Sequence, residues 1–274
     1  MSTLYISDLD GTLLDSSQTV APQTAELLNK CIDKGIKFTV ATARSAASAV
    51  KITENIKINV PCILMNGVCV YDVQVKNYVK TEYISAEVSA FVAGLLDKMG
   101  QNGFMYKISS GKLSCCYTQL DNPAMEEFYR KRRDSYDKPF TKIESFSSEV
   151  TGEVMYFTFL DRFEKLDKIR LEIEKINGLK FEFYRDIYDP RYWYLEIFSS
   201  AASKYNGVRF LREQYGFNEV ICFGDNLNDL PMFKASDKRI AVENAYPQVK
   251  AEADEVTLSN TENGVALWIE KYID

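Results

Sequence analysis

Over the first eighty residues, short apolar runs alternate with stretches of helical period. Leu4 to Ser7 reads as a strand. Ala25, Leu28, Cys31 and Ile32 recur at the spacing of one buried helix face. That helix lies between Pro22, which suits a first turn, and Gly35, which suits a stop. IKFTVATAR reads as a second buried strand, with a helix from near Ser45, and PCILMNG as a third strand ending in a turn. The alternation of strand and helix predicts parallel strands joined by right-handed crossovers.

The pattern changes after a predicted hairpin of VCVYD with KNYVKTEY. A helix near 85–99 carries Val88, Phe91, Val92, Leu95, Leu96 and Met99 at helical spacing. GFMYKI and KLSCCYT read as strands paired about an SSG turn. A polar helix near 124–133, the strand EVMYFTFL, a helix marked by Leu166, Ile169, Ile173 and Ile176, and the strands LKFEFYR and YWYLEIF follow. These predict a mostly antiparallel α+β unit inserted into the first. Strand–helix alternation then returns. SKYNGVRFLREQYG is a helix with Val208, Leu211 and Tyr215 on one face; NEVICFGDN is a strand, DLPMFKAS a short helix, KRIAV a strand and NGVALWIEKYI a final helix. The expected fold class is α/β: a discontinuous core of 1–83 and 199–274, and an inserted domain of 84–198.

Composition narrows the chemistry. The chain has 274 residues, 46% hydrophobic and 26% charged, enough to bury a core without staples. A net charge of −6, from 33 basic and 39 acidic residues, argues against a nucleic-acid binder. No apolar run approaches a membrane span, and Asp8 and Asp10 interrupt any leader-like segment, so a cytoplasmic protein with no membrane partner is expected. Cys31, Cys62, Cys69, Cys115, Cys116 and Cys222 form no C-x-x-C pair and read as free thiols. Histidine is absent. Proton transfer therefore falls to carboxylates or lysines, and a metal would take oxygen ligands, which points to magnesium.

In an open parallel sheet, ligands sit beyond the carboxyl ends of the strands. The first strand delivers Asp8 and Asp10 there, the second Thr42 and Arg44, and the third Asn66 and Gly67. VICF delivers Gly224, Asp225, Asn226, Asn228 and Asp229, and a helix start supplies Ser203 and Lys204. DLDGTLLD, ATAR, the Ser203–Lys204 pair and GDNLNDL, in this order, resemble the four motifs of the haloacid dehalogenase superfamily. The insertion and the closing stretch AVENAYPQVKAEADEVTLSNTENGV resemble its Cof-type phosphatases.

The resemblance implies a Rossmann-like parallel-sheet core with a large α/β cap that closes over the site. It also implies a magnesium-dependent phosphatase acting on small phosphorylated metabolites, most often sugar phosphates. By it, Asp8 is the nucleophile that forms a phosphoaspartyl intermediate, and Asp10 protonates the leaving oxygen and then activates water. Magnesium is held by Asp8, Asp225 and the Asp10 carbonyl, with Asn228 and Asp229 supporting the metal or orienting the lysine. Lys204 and Thr42 bind phosphate, Arg44 lies near it, and backbone N–H groups beside Gly11 and Gly67 add donors. A phosphotransferase or mutase that passes the phosphoryl group to a sugar hydroxyl is the alternative enzyme. A metabolite-binding regulator is the non-catalytic one, but it would have lost Asp8, Asp10, Lys204 or Asp225, and all four are present.

Some features keep two readings. Asn66–Gly67 is either a plain turn or a phosphate contact. The run Arg130–Arg133 is a solvated helix face or an anion site. Tyr184, Tyr188, Tyr192, Trp193 and Tyr194 are cap core or a sugar-stacking wall. Tyr205 after Ser203–Lys204, Glu243 in AVENA and the missing proline–glycine turn in IFSSAASK depart from the family pattern. They bear on substrate and cap geometry.

Overall fold

The computed structural model describes residues 2–186 and 189–272. In chain order the elements begin with β1 (Thr3–Ser7), α1 (Pro22–Asp33), β2 (Lys37–Val40), α2 (Ala46–Ile52), β3 (Cys62–Leu64), β4 (Cys69–Asp72) and β5 (Asn77–Thr81). The inserted segment runs α3 (Ala86–Lys98), β6 (Phe104–Ser109), β7 (Lys112–Tyr117), α4 (Pro123–Tyr136), β8 (Phe140–Lys142), α5 (Phe146–Glu149), β9 (Val154–Asp161), α6 (Phe163–Ile173), β10 (Leu179–Arg185) and β11 (Trp193–Ser199). The chain closes with α7 (Lys204–Tyr215), β12 (Glu219–Gly224), α8 (Leu230–Ala235), β13 (Lys238–Val242), α9 (Pro247–Glu252), β14 (Glu255–Thr257) and α10 (Gly264–Lys271). Two compact units result: Met1–Lys80 with Ala202–Asp274, and Thr81–Ala201.

The first unit is built on a parallel sheet in the order β14-β13-β12-β1-β2. Leu4 and Ile6 are fully buried in β1, an interior strand of this sheet. Register decides what meets at its carboxyl edge. Ser7 lies opposite Phe223 on one side and Val40 on the other, so all three strands end level. Asp8 N–H then donates to the Phe223 carbonyl at 3.0 Å, and Ala41 N–H to the Ser7 carbonyl at 2.9 Å.

The third predicted strand extends this ladder only briefly. β3 meets the residues that follow β2 in the expected parallel sense, through an Ala41–Ile63 bridge and a Thr42 N–H bond to the Ile63 carbonyl at 2.9 Å, while its full length pairs antiparallel with β4 in a β3-β4-β5 sheet.

The second unit carries a sheet in the order β10-β11-β9-β6-β7-β8, antiparallel except where β7 meets β8. Alternate side chains Met105, Phe157, Phe159, Leu195 and Ile197 pack against Val92 and Leu96 of α3 and Leu166, Ile169 and Ile173 of α6. On α4, Phe128 packs against Phe104, with ring centroids 4.7 Å apart, and Tyr194, at 6.3 Å. The helix stripe of α3 is narrower than its apolar pattern predicts. Ser89, Val92, Ala93 and Leu96 turn inward while Phe91 is 61% exposed. Tyr215 of α7 is likewise exposed, beside buried Val208 and Leu211.

Of the aromatic set, Trp193 packs on Phe163 and Phe183, Tyr184 stacks on Tyr194 at 5.2 Å, and Tyr192 is buried. Tyr188 lies outside the described residues. In the basic run, Arg132 and Arg133 lie over the rings of Phe128 and Tyr129.

Candidate active site

The carboxyl edge of the parallel sheet gathers buried charge. Asp8, directly after β1, accepts a hydrogen bond on Oδ1 from Lys204 Nζ at 2.6 Å. The same ammonium donates to Asp229 Oδ1 at 2.7 Å. Asp229 in turn accepts on Oδ2 from the backbone N–H groups of Asp225 and Asn226, each at 3.0 Å. It therefore locks the turn after β12 to the lysine on α7. Ser203 caps α7 by accepting from Asn206 N–H, so Lys204 opens the helix and is aimed at the sheet edge.

Two glycines allow the parts to approach. Gly11, at φ +84°, leaves room for the Asp225 carboxylate, which a side chain would strike. Gly67, at φ +91°, abuts the Ser203 carbonyl and the Lys204 N–H, where a Cβ would clash with backbone. The Asn66–Gly67 turn therefore seats the start of the lysine helix. Asn66 itself is left-handed at φ 55°, and its Oδ1 is buried with no hydrogen-bond partner.

The other expected residues divide. Thr42 is buried, and its Oγ1 accepts from Arg44 N–H at 3.2 Å. The Arg44 guanidinium engages Asp10, with Nε 2.7 Å from Oδ2 and Nη2 2.5 Å from Oδ1. Asn228 sits exposed on the short turn between β12 and α8. Two contributors fell outside the sequence reading. Thr12 Oγ1 donates to Asp225 Oδ1 at 2.7 Å, and Asn244 Nδ2 donates to the Gly11 carbonyl at 2.7 Å. Thr12 stands inside the DLDGTLLD motif, which is the signal that could have found it. Asn244 stands inside the closing AVENAYPQVKAEADEVTLSNTENGV stretch, but its partner lies 233 residues away, and nothing local names that partner.

Burial pushes the Asp8 carboxyl well above the ordinary carboxylate range; Lys204 pulls it down, while Asp229 and Asp225 add to the rise. Asp225 is pushed up to about 6, chiefly by burial, against the Thr12 hydrogen bond. Burial works to lower the Lys204 ammonium, but Asp229 and Asp8 outweigh it and hold the lysine above its usual value. One buried cation thus faces three buried carboxylates. Oxygens of Asp8, Asp225 and Asp229 lie within 4.8 Å of one another. This donor set is all hard oxygen and carries excess negative charge, so it fits a divalent cation such as magnesium.

The haloacid dehalogenase-like hydrolase family matches residues 5–269, and the chain belongs to that family. It is 27% identical to the phosphatase YwpJ of Bacillus subtilis, over 96% of this chain and 97% of that one. It is 23% identical to the pyridoxal phosphate phosphatase YbhA of Escherichia coli over the full length of both. A haloacid dehalogenase-like hydrolase from Bacteroides thetaiotaomicron shares the fold, with a TM-score of 0.82, 24% identity and full coverage of both chains. The chain is thus an enzyme of the hydrolase type, and these curated relatives along its whole length are phosphatases. Among the described residues, no helix is long and apolar enough to cross a membrane.

Proposed function

We propose that the chain is a magnesium-dependent phosphatase that hydrolyses small phosphorylated metabolites, sugar phosphates foremost, through a phosphoaspartyl intermediate on Asp8. The observation that carries this reading is the Lys204 ammonium bridging Asp8 and Asp229 beside Asp225. The Lys204 ammonium against one oxygen of Asp8 opposes the rise that burial imposes on this carboxyl, a bound divalent cation would complete its ionisation, and the other oxygen is left to attack phosphorus. Asp8, Asp225 and the Asp10 carbonyl would hold magnesium, which supplies charge neutralisation for the nucleophile and the phosphoryl group.

The rest is done by the chain. An oxygen of Asp8 bonds to phosphorus as the bond to the leaving oxygen breaks, and Asp10 gives that oxygen its proton. Water then attacks the phosphoaspartyl phosphorus, its proton passes to Asp10, and the bond to Asp8 breaks. Lys204 and Thr42 stabilise charge on the transferred group. Asp229 keeps Lys204 in place.

The test is release of inorganic phosphate from a panel of hexose and pentose phosphates and pyridoxal phosphate, with magnesium and with chelator. Magnesium-dependent release from at least one sugar phosphate is expected. Turnover undiminished in excess chelator, or release confined to non-sugar phosphates, overturns the metal or the substrate part of the reading respectively.

A further inference from the structure

The Arg44 guanidinium is turned toward Asp10 and grips it with two parallel hydrogen bonds, Nε to Oδ2 at 2.7 Å and Nη2 to Oδ1 at 2.5 Å. A planar fork of this kind fixes both the position and the plane of a carboxyl group, which a point charge cannot do. The partners are unequally anchored. The Arg44 side chain is 17% exposed and that of Asp10 49%. The Arg44 backbone is tied on both sides, its N–H to Thr42 Oγ1 and its carbonyl to Met65 N–H at 3.1 Å. Asp10, by contrast, follows β1 on a turn, where a half-exposed carboxyl with two free torsions samples several rotamers unless something holds it.

We propose that Arg44 is a positioning residue for Asp10: it aims the Asp10 carboxyl for the two proton transfers and is not itself a ligand of the substrate phosphate. The inference rests on the reading of Asp10 as the group that protonates the leaving oxygen and then accepts the proton of water. It changes what substitution at Arg44 does. Loss of a phosphate ligand weakens every substrate alike. Loss of the positioning fork injures the step that needs a proton and spares binding.

The experiment compares Arg44→Gln, Arg44→Lys, Arg44→Ala and Asp10→Asn on an alkyl phosphate that the enzyme turns over and on p-nitrophenyl phosphate, in rapid-mixing assays of the first step. Nitrophenolate leaves without a proton; a sugar alkoxide does not. In Arg44→Gln the alkyl first step should fall about tenfold or more further than the aryl one, while inhibition by inorganic phosphate weakens by less than about threefold. Arg44→Lys, which keeps the charge without the fork, should show the same selectivity to a smaller degree. Added guanidinium should restore alkyl turnover in Arg44→Ala. Equal losses on both substrates, with inorganic phosphate inhibition weakened in proportion, would make Arg44 a phosphate ligand and overturn the proposal. Selective loss in Asp10→Asn with none in the Arg44 variants overturns the Arg44 proposal alone. Absence of selectivity in Asp10→Asn overturns the role given to Asp10, and the proposal with it.

Discussion

Lys204 and Asp229 form an ion pair at 2.7 Å whose side chains are 1% and 0% exposed. Charges so far from water are stable only together. Removing one leaves the other desolvated and unpaired, a change that costs about 3–5 kcal/mol. Lys204 also serves Asp8 at 2.6 Å, so Lys204→Met strands two buried carboxylates. That variant should lose stability of this order and all measurable phosphate release. Denaturant unfolding of purified Lys204→Met checks it, and a midpoint equal to that of the parent protein refutes the structural part.

The two opening aspartates should separate in kinetics. Asp8→Asn should stop every substrate, because an amide does not form the phosphoaspartyl bond in its place. Asp10→Asn should lose roughly 10²–10⁴-fold on sugar phosphates. With p-nitrophenyl phosphate its first step should partly survive, so phosphate accumulates on Asp8 as a burst of nitrophenolate or as added mass. Phosphate mass on another residue would show the roles to be misassigned.

Asp225 should report on the cation in two ways. Its carboxylate is held by Thr12 Oγ1 at 2.7 Å and lies in the buried acidic cluster. Magnesium that binds only the folded chain raises its stability, by about 2.7 kcal/mol at a hundred times Kd. The parent protein should therefore melt higher with magnesium than with chelator, and Asp225→Asn should show little of that shift and little turnover. A magnesium-induced shift of full size in Asp225→Asn would place the cation elsewhere.

Glu196 on β11, in the second unit, supplies a pH dependence of its own. Burial pushes its carboxyl up to about 7, against the pull of the Tyr156 and Tyr184 hydroxyls and of Arg132. A folded-state value above the unfolded one means that ionisation disfavours the fold. The penalty is absent below the ordinary glutamate range, grows as pH rises toward 7, and is complete above it. Glu196→Gln should thus raise stability at pH 8 by about 1–3 kcal/mol and leave it nearly unchanged at pH 4. Unfolding measured at both values decides it; equal effects at the two would contradict the assignment.

The α/β class, the parallel core and most long elements are legible in the sequence because they rest on local periodicity. Alternating buried runs, helix stripes and the Pro22 and Gly35 boundaries act within a few residues. The acidic motif after β1 is legible for a related reason: Asp8 and Asp10 at the end of an apolar strand make sense only beside a cation. Short edge pieces such as β8 and β14 escaped, since three residues hold too little pattern to be read. β3 is legible as a strand within PCILMNG, but its antiparallel pairing with β4 depends on the neighbouring strand and not on its own composition.

The wiring of the site was settled by contacts over long separations. Lys204 reaches Asp8 across 196 residues, Thr12 reaches Asp225 across 213 and Asn244 reaches Gly11 across 233. The level ending of β1, β2 and β12 brings these groups together, and that register belongs to the sheet. Motif spacing names Arg44 but not its partner; the direction of a guanidinium is set by which carboxylate the folded backbone places within reach, and here that is Asp10. Asn228 shows the converse, a motif residue that the turn after β12 leaves facing solvent while Asp229, one position on, is buried. A side chain's type is written in the sequence, whereas its partner depends on which of two adjacent positions the backbone turns inward.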